Sequence, residues 1–231
     1  MKLDRHERLL RMAQVVSAPL VLAIVEVFHP HPDDLLAVDV RTWLFVHFAQ
    51  LALFPLAALA VTTLVRGGTG LTAALCRVAM FVFAVSFTAF DTAAGVVTGI
   101  LVRAAHASGA PEAWRDAIDV LWRYPIMGGS LRWDQFPSLS VLGSMALPVG
   151  TVAAAAWLKR AGHSWAPVLL LALSGFGLVL FNTHAWPGGP LTFGALAVAA
   201  GWLQWQGAQA TVPARVPSRT VAAAHEVSRE P

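Results

Sequence analysis

The chain has 231 residues, 57% of them apolar and only 13% charged, with a mean hydropathy of +0.63 and a formal net charge of +3. A water-soluble domain carries roughly 25% charged residues to cover its surface, so this composition excludes a soluble globule and points to one bundle of lipid-facing helices. The basic balance does not indicate nucleic acid, because Lys and Arg sit at the ends of apolar segments and form no dense run.

Positions 1–11 carry Lys2, Arg5, Arg8 and Arg11 against Asp4 and Glu7. The apolar run that follows ends in Glu26-Val27-Phe28-His29-Pro30 and has no small-residue cleavage site, so it reads as a retained first span. About 20 apolar residues in a helix cross the ~30 Å hydrocarbon core. Six stretches meet or approach that length: 12–28, 42–65, 78–102, 138–158, 164–186 and 191–206. None has the alternating pattern of a membrane barrel strand. The expected fold is therefore all-α, a polytopic transmembrane bundle of about six spans over 12–206. A segment 1–11 precedes it, and a polar tail, 207–231, follows it without the composition for a packed core.

Basic residues set the orientation. With the N-terminus inside, Arg66 and Arg77, then Lys159 and Arg160, then Arg215, Arg219 and Arg229 all fall on the cytoplasmic side of a plasma or inner membrane, together with both termini. The first outer loop is acidic, with Asp33, Asp34 and Asp39. Trp43 and Trp186 mark outer ends, and Trp157, Trp165, Trp202 and Trp205 inner ones, as interfacial rings do. The long connection 103–137 contains a helical pattern at 111–123. Pro111 suits its first turn, and Ala113, Trp114, Ala117, Ile118, Leu121 and Trp122 share one face. It is expected to lie on the outer surface, packed on the bundle or lidding a site. No repeat relates the two halves.

Ionisable groups within spans are expensive and usually face an interior or a cavity. Glu26 and His47 lie about one turn inside the outer ends of the first two spans, and Asp91 lies ~16 Å deep in the third. His29 and His31 close the first span as His-Pro-His-Pro, His184 closes the fifth beside Asn182, and His106 follows the third. Five of the eight histidines thus map to the outer half. Glu26 and His29 share a helix face at i, i+3, as do His47 and Gln50. Thr88, Asp91, Gly95, Thr98 and Gly99 form a small and polar face that permits close helix approach.

Imidazoles from several segments suit a transition metal, and a facing pair suits haem. The candidate metal ligands are His29, His31, His47 and His184, with Asp91 and Glu26 as candidate catalytic acid–base groups. No spacing matches a metalloprotease, P-loop or zinc-finger signature. Gly128-Gly129-Ser130 lacks the surroundings of a nucleophile turn, and the lone Cys76 cannot form an intramolecular disulfide. Three functions fit: a metal-, haem- or acid-dependent enzyme acting on a lipid-like substrate such as an isoprenoid, a small proton- or cation-coupled transporter, or a non-catalytic accessory or immunity protein.

Overall fold

The computed structural model describes residues 5–124 and 138–210. The segment Gly128-Gly129-Ser130 and the tail from 211 onward lie outside the described residues. Nine α-helices occupy the described chain: α1 (Arg5–Val27), α2 (Val40–Leu64), α3 (Leu71–Phe90), α4 (Thr98–Ala107), α5 (Arg115–Trp122), α6 (Leu139–Arg160), α7 (Trp165–Ser174), α8 (Gly177–Phe181) and α9 (Gly188–Ala210). A π-helical turn, Asp91–Val97, joins α3 to α4 without interrupting the rod, and no strand occurs among the described residues.

Four of these rods are long and apolar enough to cross a membrane: His6–Val27, Val40–Leu64, Leu71–Ala107 and Leu139–Arg160. Where the sequence suggests one fifth span over 164–186, the structure has the two short helices α7 and α8 and then irregular chain. At the break a Cβ on Gly175 would lie 2.7 Å from the Cα of Pro148, so only glycine fits where the end of α7 closes on α6. Neighbouring helices pack α1 on α2, α2 on α3, α3 on α6, α6 on α7, α7 on α9 and α9 back on α1, which closes a ring. Phe54, Phe83, Phe87 and Phe193, from α2, α3 and α9, fill its middle, with Phe54 and Phe87 rings 4.7 Å apart. Large apolar side chains also point away from the protein: Phe45 and Phe81 are each 68% exposed and Leu180 76%. That is the surface of a helix bundle bathed in lipid.

The two ends of the ring differ. At one end Arg77 donates to the carbonyls of Val65 (3.2 Å) and Gly68 (2.7 Å), closing the C-terminus of α2. At the other, a small second core gathers Leu35, Leu36, Val102, Ala105 and Ile118 beside Trp43. Arg115 of α5 ties it down, donating to both carboxylate oxygens of Asp34 (2.9 and 3.1 Å) and to Glu112 (2.7 Å). His106 donates from Nε2 to the Leu36 carbonyl, 2.8 Å away.

Arg115 holds the Asp34 carboxyl below its ordinary value of 3.8. A carboxyl depressed in the folded state contributes fully above its unfolded value, and the contribution fades as pH falls through the lower folded one. Amide-exchange protection over Arg115–Trp122 is therefore expected to drop a few-fold below about pH 4. In Asp34→Asn it should already be low at neutral pH and should not respond to acid. Equal protection in the two proteins at pH 7 would show that the clamp does not hold α5.

Candidate metal centre

Three imidazoles that lie far apart in the chain meet at the second end of the ring. His29 follows α1, His47 lies in the first half of α2, and His184 lies between α8 and α9. One nitrogen from each lies within 4.8 Å of the other two. The Nε2 atoms of His29 and His184 are 3.1 Å apart, with the rings perpendicular. Two nitrogens bound tetrahedrally to one ion at 2.0–2.1 Å stand roughly 3.3 Å apart, close to the spacing observed.

The ring orientations are set by the backbone. The Nδ1 of His29 is 2.9 Å from the carbonyl of Pro30, and the Nδ1 of His47 is 2.8 Å from that of Trp43. A carbonyl only accepts, so both Nδ1 atoms carry a proton, and in the neutral ring the lone pair is left on Nε2. Tying the remote nitrogen to a carbonyl in this way is how metal-binding histidines are oriented. Burial first, and the neighbouring His47 second, push the His29 imidazole down to about 3, so it is neutral and able to coordinate across the physiological range. His184 rests on the aromatic core, its ring 5.6 Å from Phe90 and 5.9 Å from Phe87.

His47 has its place because the facing backbone lacks a side chain. A Cβ on Gly95 would come 1.9 Å from its Cδ2. Gly95 belongs to the π turn, a feature frequent at functional sites. Trp43 donates from Nε1 to the Gly95 carbonyl (2.7 Å) and stacks on His47 with centroids 4.4 Å apart. Sequence reading puts Trp43 at the headgroup level, but it is 1% exposed. Its indole N–H finds a partner in the π turn, so the ring belongs to the site.

One turn deeper, Glu26, Gln50 and Asp91 are each fully buried. Gln50 donates from Nε2 to Oε1 of Glu26 (2.8 Å). The i, i+3 spacing puts Gln50 on the His47 face, but only the packing of α1 on α2 supplies its partner. Neither carboxylate lines the cavity of ≈ 400 Å³ that opens beside His29 and His184. Phe87, Phe90 and Val141 form part of that cavity's wall, and Ser140, Ser144 and Asn182 add polar groups.

His31 borders the cavity but stands outside the three-histidine set, its Nε2 3.4 Å from Thr183 Oγ1. Of the four histidines read as ligands, the structure thus brings together His29, His47 and His184. No family model, curated protein or solved structure matches this chain.

Proposed function

We propose that this chain is a six-span membrane enzyme, both termini cytoplasmic, that uses a divalent metal ion held by His29, His47 and His184 to act on an amphipathic, lipid-like substrate. The convergence of three imidazoles, two of them locked by backbone carbonyls, carries the reading. Imidazole donors suit zinc and its neighbours. His29, His47 and His184 would hold the ion and leave a fourth position open to water, and a zinc ion there would supply Lewis acidity, lowering the pKa of that water to about 7. The mixed walls of the adjoining cavity fit a substrate with an apolar chain and a polar linkage, as in hydrolysis of a lipid ester or amide. Haem fits less well, since two axial nitrogens trans on one iron stand roughly 4 Å apart, against the 3.1 Å between His29 and His184.

The six-span, N-in topology is supported by the closed ring, in which the fifth and sixth passes pack with the four long rods. The 23 residues of α9 are enough for about 34 Å of helix. The basic residues Arg66, Arg77, Lys159 and Arg160 gather at the end opposite the histidines.

Metal analysis of the protein purified in detergent without chelator tests the proposal. About one zinc-type ion per chain is expected, without a haem Soret band, and His29→Ala, His47→Ala and His184→Ala should each lower zinc affinity by roughly 100-fold or more. A wild-type protein that neither retains metal nor takes up added Zn²⁺ would end the metal reading.

A further inference from the structure

At the histidine end of the ring, α2 and α4 leave a groove between them that shares no residue with the cavity beside the three histidines. Val40, Leu44 and Phe48 recur at i, i+4 and i+8 and so form one stripe of α2. Arg103 and His106, at i, i+3 on α4, line the facing side, and Arg41 flanks the head of the stripe. The two helices approach because Gly99 has no side chain: a Cβ there would lie 2.7 Å from Cδ2 of Leu44. From Val40 to Phe48 the stripe descends roughly 12 Å along the span, and Phe48 is exposed at its lower end. Arg41 lies in the first turn of α2 and Arg103 within the last two turns of α4. Charge thus sits at the ends of the rods, with apolar surface below it.

The other arginines described at this end are committed. Arg115 pairs with Asp34 and Glu112, and Arg123 with Asp119. Arg41 and Arg103 make no ion pair or side-chain hydrogen bond among the described residues. Asp39 adjoins Arg41 in the chain, but its oxygens serve the start of α2, accepting from the Arg41 backbone N–H (3.1 Å) and from Thr42 Oγ1 (2.5 Å). His106 is fixed beside the groove by its bond to the Leu36 carbonyl (2.8 Å). Two exposed arginines alone could be left to water. These two flank the head of an apolar stripe that runs into the hydrocarbon, so the ligand matching both parts carries an anion at one end and a chain at the other.

We propose that the groove between α2 and α4 binds one anionic phospholipid, its phosphate on Arg41 and Arg103 and an acyl chain along Leu44 and Phe48. Guanidinium forks match phosphate oxygens bidentately. A headgroup that carries its own ammonium would bring that cation against the arginines and is disfavoured. The site uses none of the metal-binding histidines, so either proposal can fail without the other.

The test uses the full chain, delipidated in neutral detergent and titrated with phosphatidylglycerol or phosphatidylcholine, with bound lipid read by native mass spectrometry and stability by thermal unfolding. Wild type is expected to retain one phosphatidylglycerol, bound about tenfold or more tighter than phosphatidylcholine, and to melt at higher temperature with it. Arg41→Gln and Arg103→Gln should each weaken phosphatidylglycerol binding about tenfold, the worth of one charge-assisted contact, and leave zinc uptake unchanged. Arg103→Lys, which keeps the charge and loses the fork, should fall between. Arg123→Gln removes a charge from the same face but not from the groove and should have no effect. Equal affinity of wild type for the two lipids, phosphatidylglycerol binding unchanged in both groove variants, or an equal loss in Arg123→Gln overturns the site. So does inorganic phosphate that competes as well as the lipid, because the apolar stripe would then contribute nothing. The wild-type comparison of the two lipids decides the matter even if a variant fails to fold.

Discussion

Gly95→Ala is expected to disable the three-histidine site with the smallest change the chain permits. The new methyl would sit 1.9 Å from Cδ2 and 2.6 Å from Cγ of His47. The imidazole has little room to yield. It is 2% exposed, bonded through Nδ1 to the Trp43 carbonyl, and covered by the Trp43 indole at 4.4 Å. Either the ring leaves its position or the π turn moves off α2. Overpacking of this kind costs about 1–3 kcal/mol of stability. A displaced ligand should lower zinc affinity by roughly 100-fold, the upper end of what loss of orientation costs. Competition against a chromophoric chelator reads the affinity, and thermal unfolding reads the stability. Gly194→Ala is the control, because its Cβ would meet nothing within 4 Å. Wild-type zinc affinity in Gly95→Ala together with wild-type affinity in His47→Ala would show that His47 is not a ligand; retained affinity in Gly95→Ala alone would show that the π turn yields and the ring stays.

Spans, their rough ends and the concentration of histidines at one end follow from hydropathy and from the cost of polar groups in lipid, both local properties. The pairs Glu26/His29 and His47/Gln50 follow from helix periodicity. What joins these pairs is packing between segments distant in the chain. His184 is 155 positions from His29, and nothing in the spacing says that α9 closes on α1. For the same reason His31 looks as good a ligand as His29 in His-Pro-His-Pro, although the chain turns it toward Thr183. Gly95 and Gly99 do mark a close helix approach, as their spacing suggests. Their partners, His47 at one and Trp43 with Leu44 at the other, become visible only once α2 is laid against the π turn. The turn itself leaves no mark in composition, because it depends on one extra residue per turn inside an unbroken helix. The break between α7 and α8 has no mark in hydropathy, and only the two glycines around Phe176, Gly175 and Gly177, coincide with it.

Trp43 should separate stability from metal binding. Its Nε1 donor satisfies the Gly95 carbonyl at 2.7 Å, and its ring lies between His47 and Trp122, 4.4 and 5.7 Å from their centroids. Trp43→Phe keeps much of the ring and removes the donor; the Gly95 carbonyl still accepts from the Thr98 backbone N–H, so the cost is that of one buried hydrogen bond, about 0.5–1.5 kcal/mol. Trp43→Ala also opens a cavity in a site that is 1% exposed, and should cost about 3–5 kcal/mol. The acceptor for His47 Nδ1 is the backbone carbonyl of residue 43, which Trp43→Phe does not touch. Zinc should therefore still stabilise Trp43→Phe by the wild-type increment, about 2.7 kcal/mol at a hundredfold excess over the dissociation constant. Gly95→Ala should gain little from the same zinc. Melting curves of the three proteins with and without Zn²⁺ make the comparison. If Trp43→Phe loses the zinc increment as Gly95→Ala does, the indole is orienting His47 directly and the backbone carbonyl is not enough. If both keep it and His47→Ala keeps it too, the ion is held without His47, and the site reduces to His29 and His184.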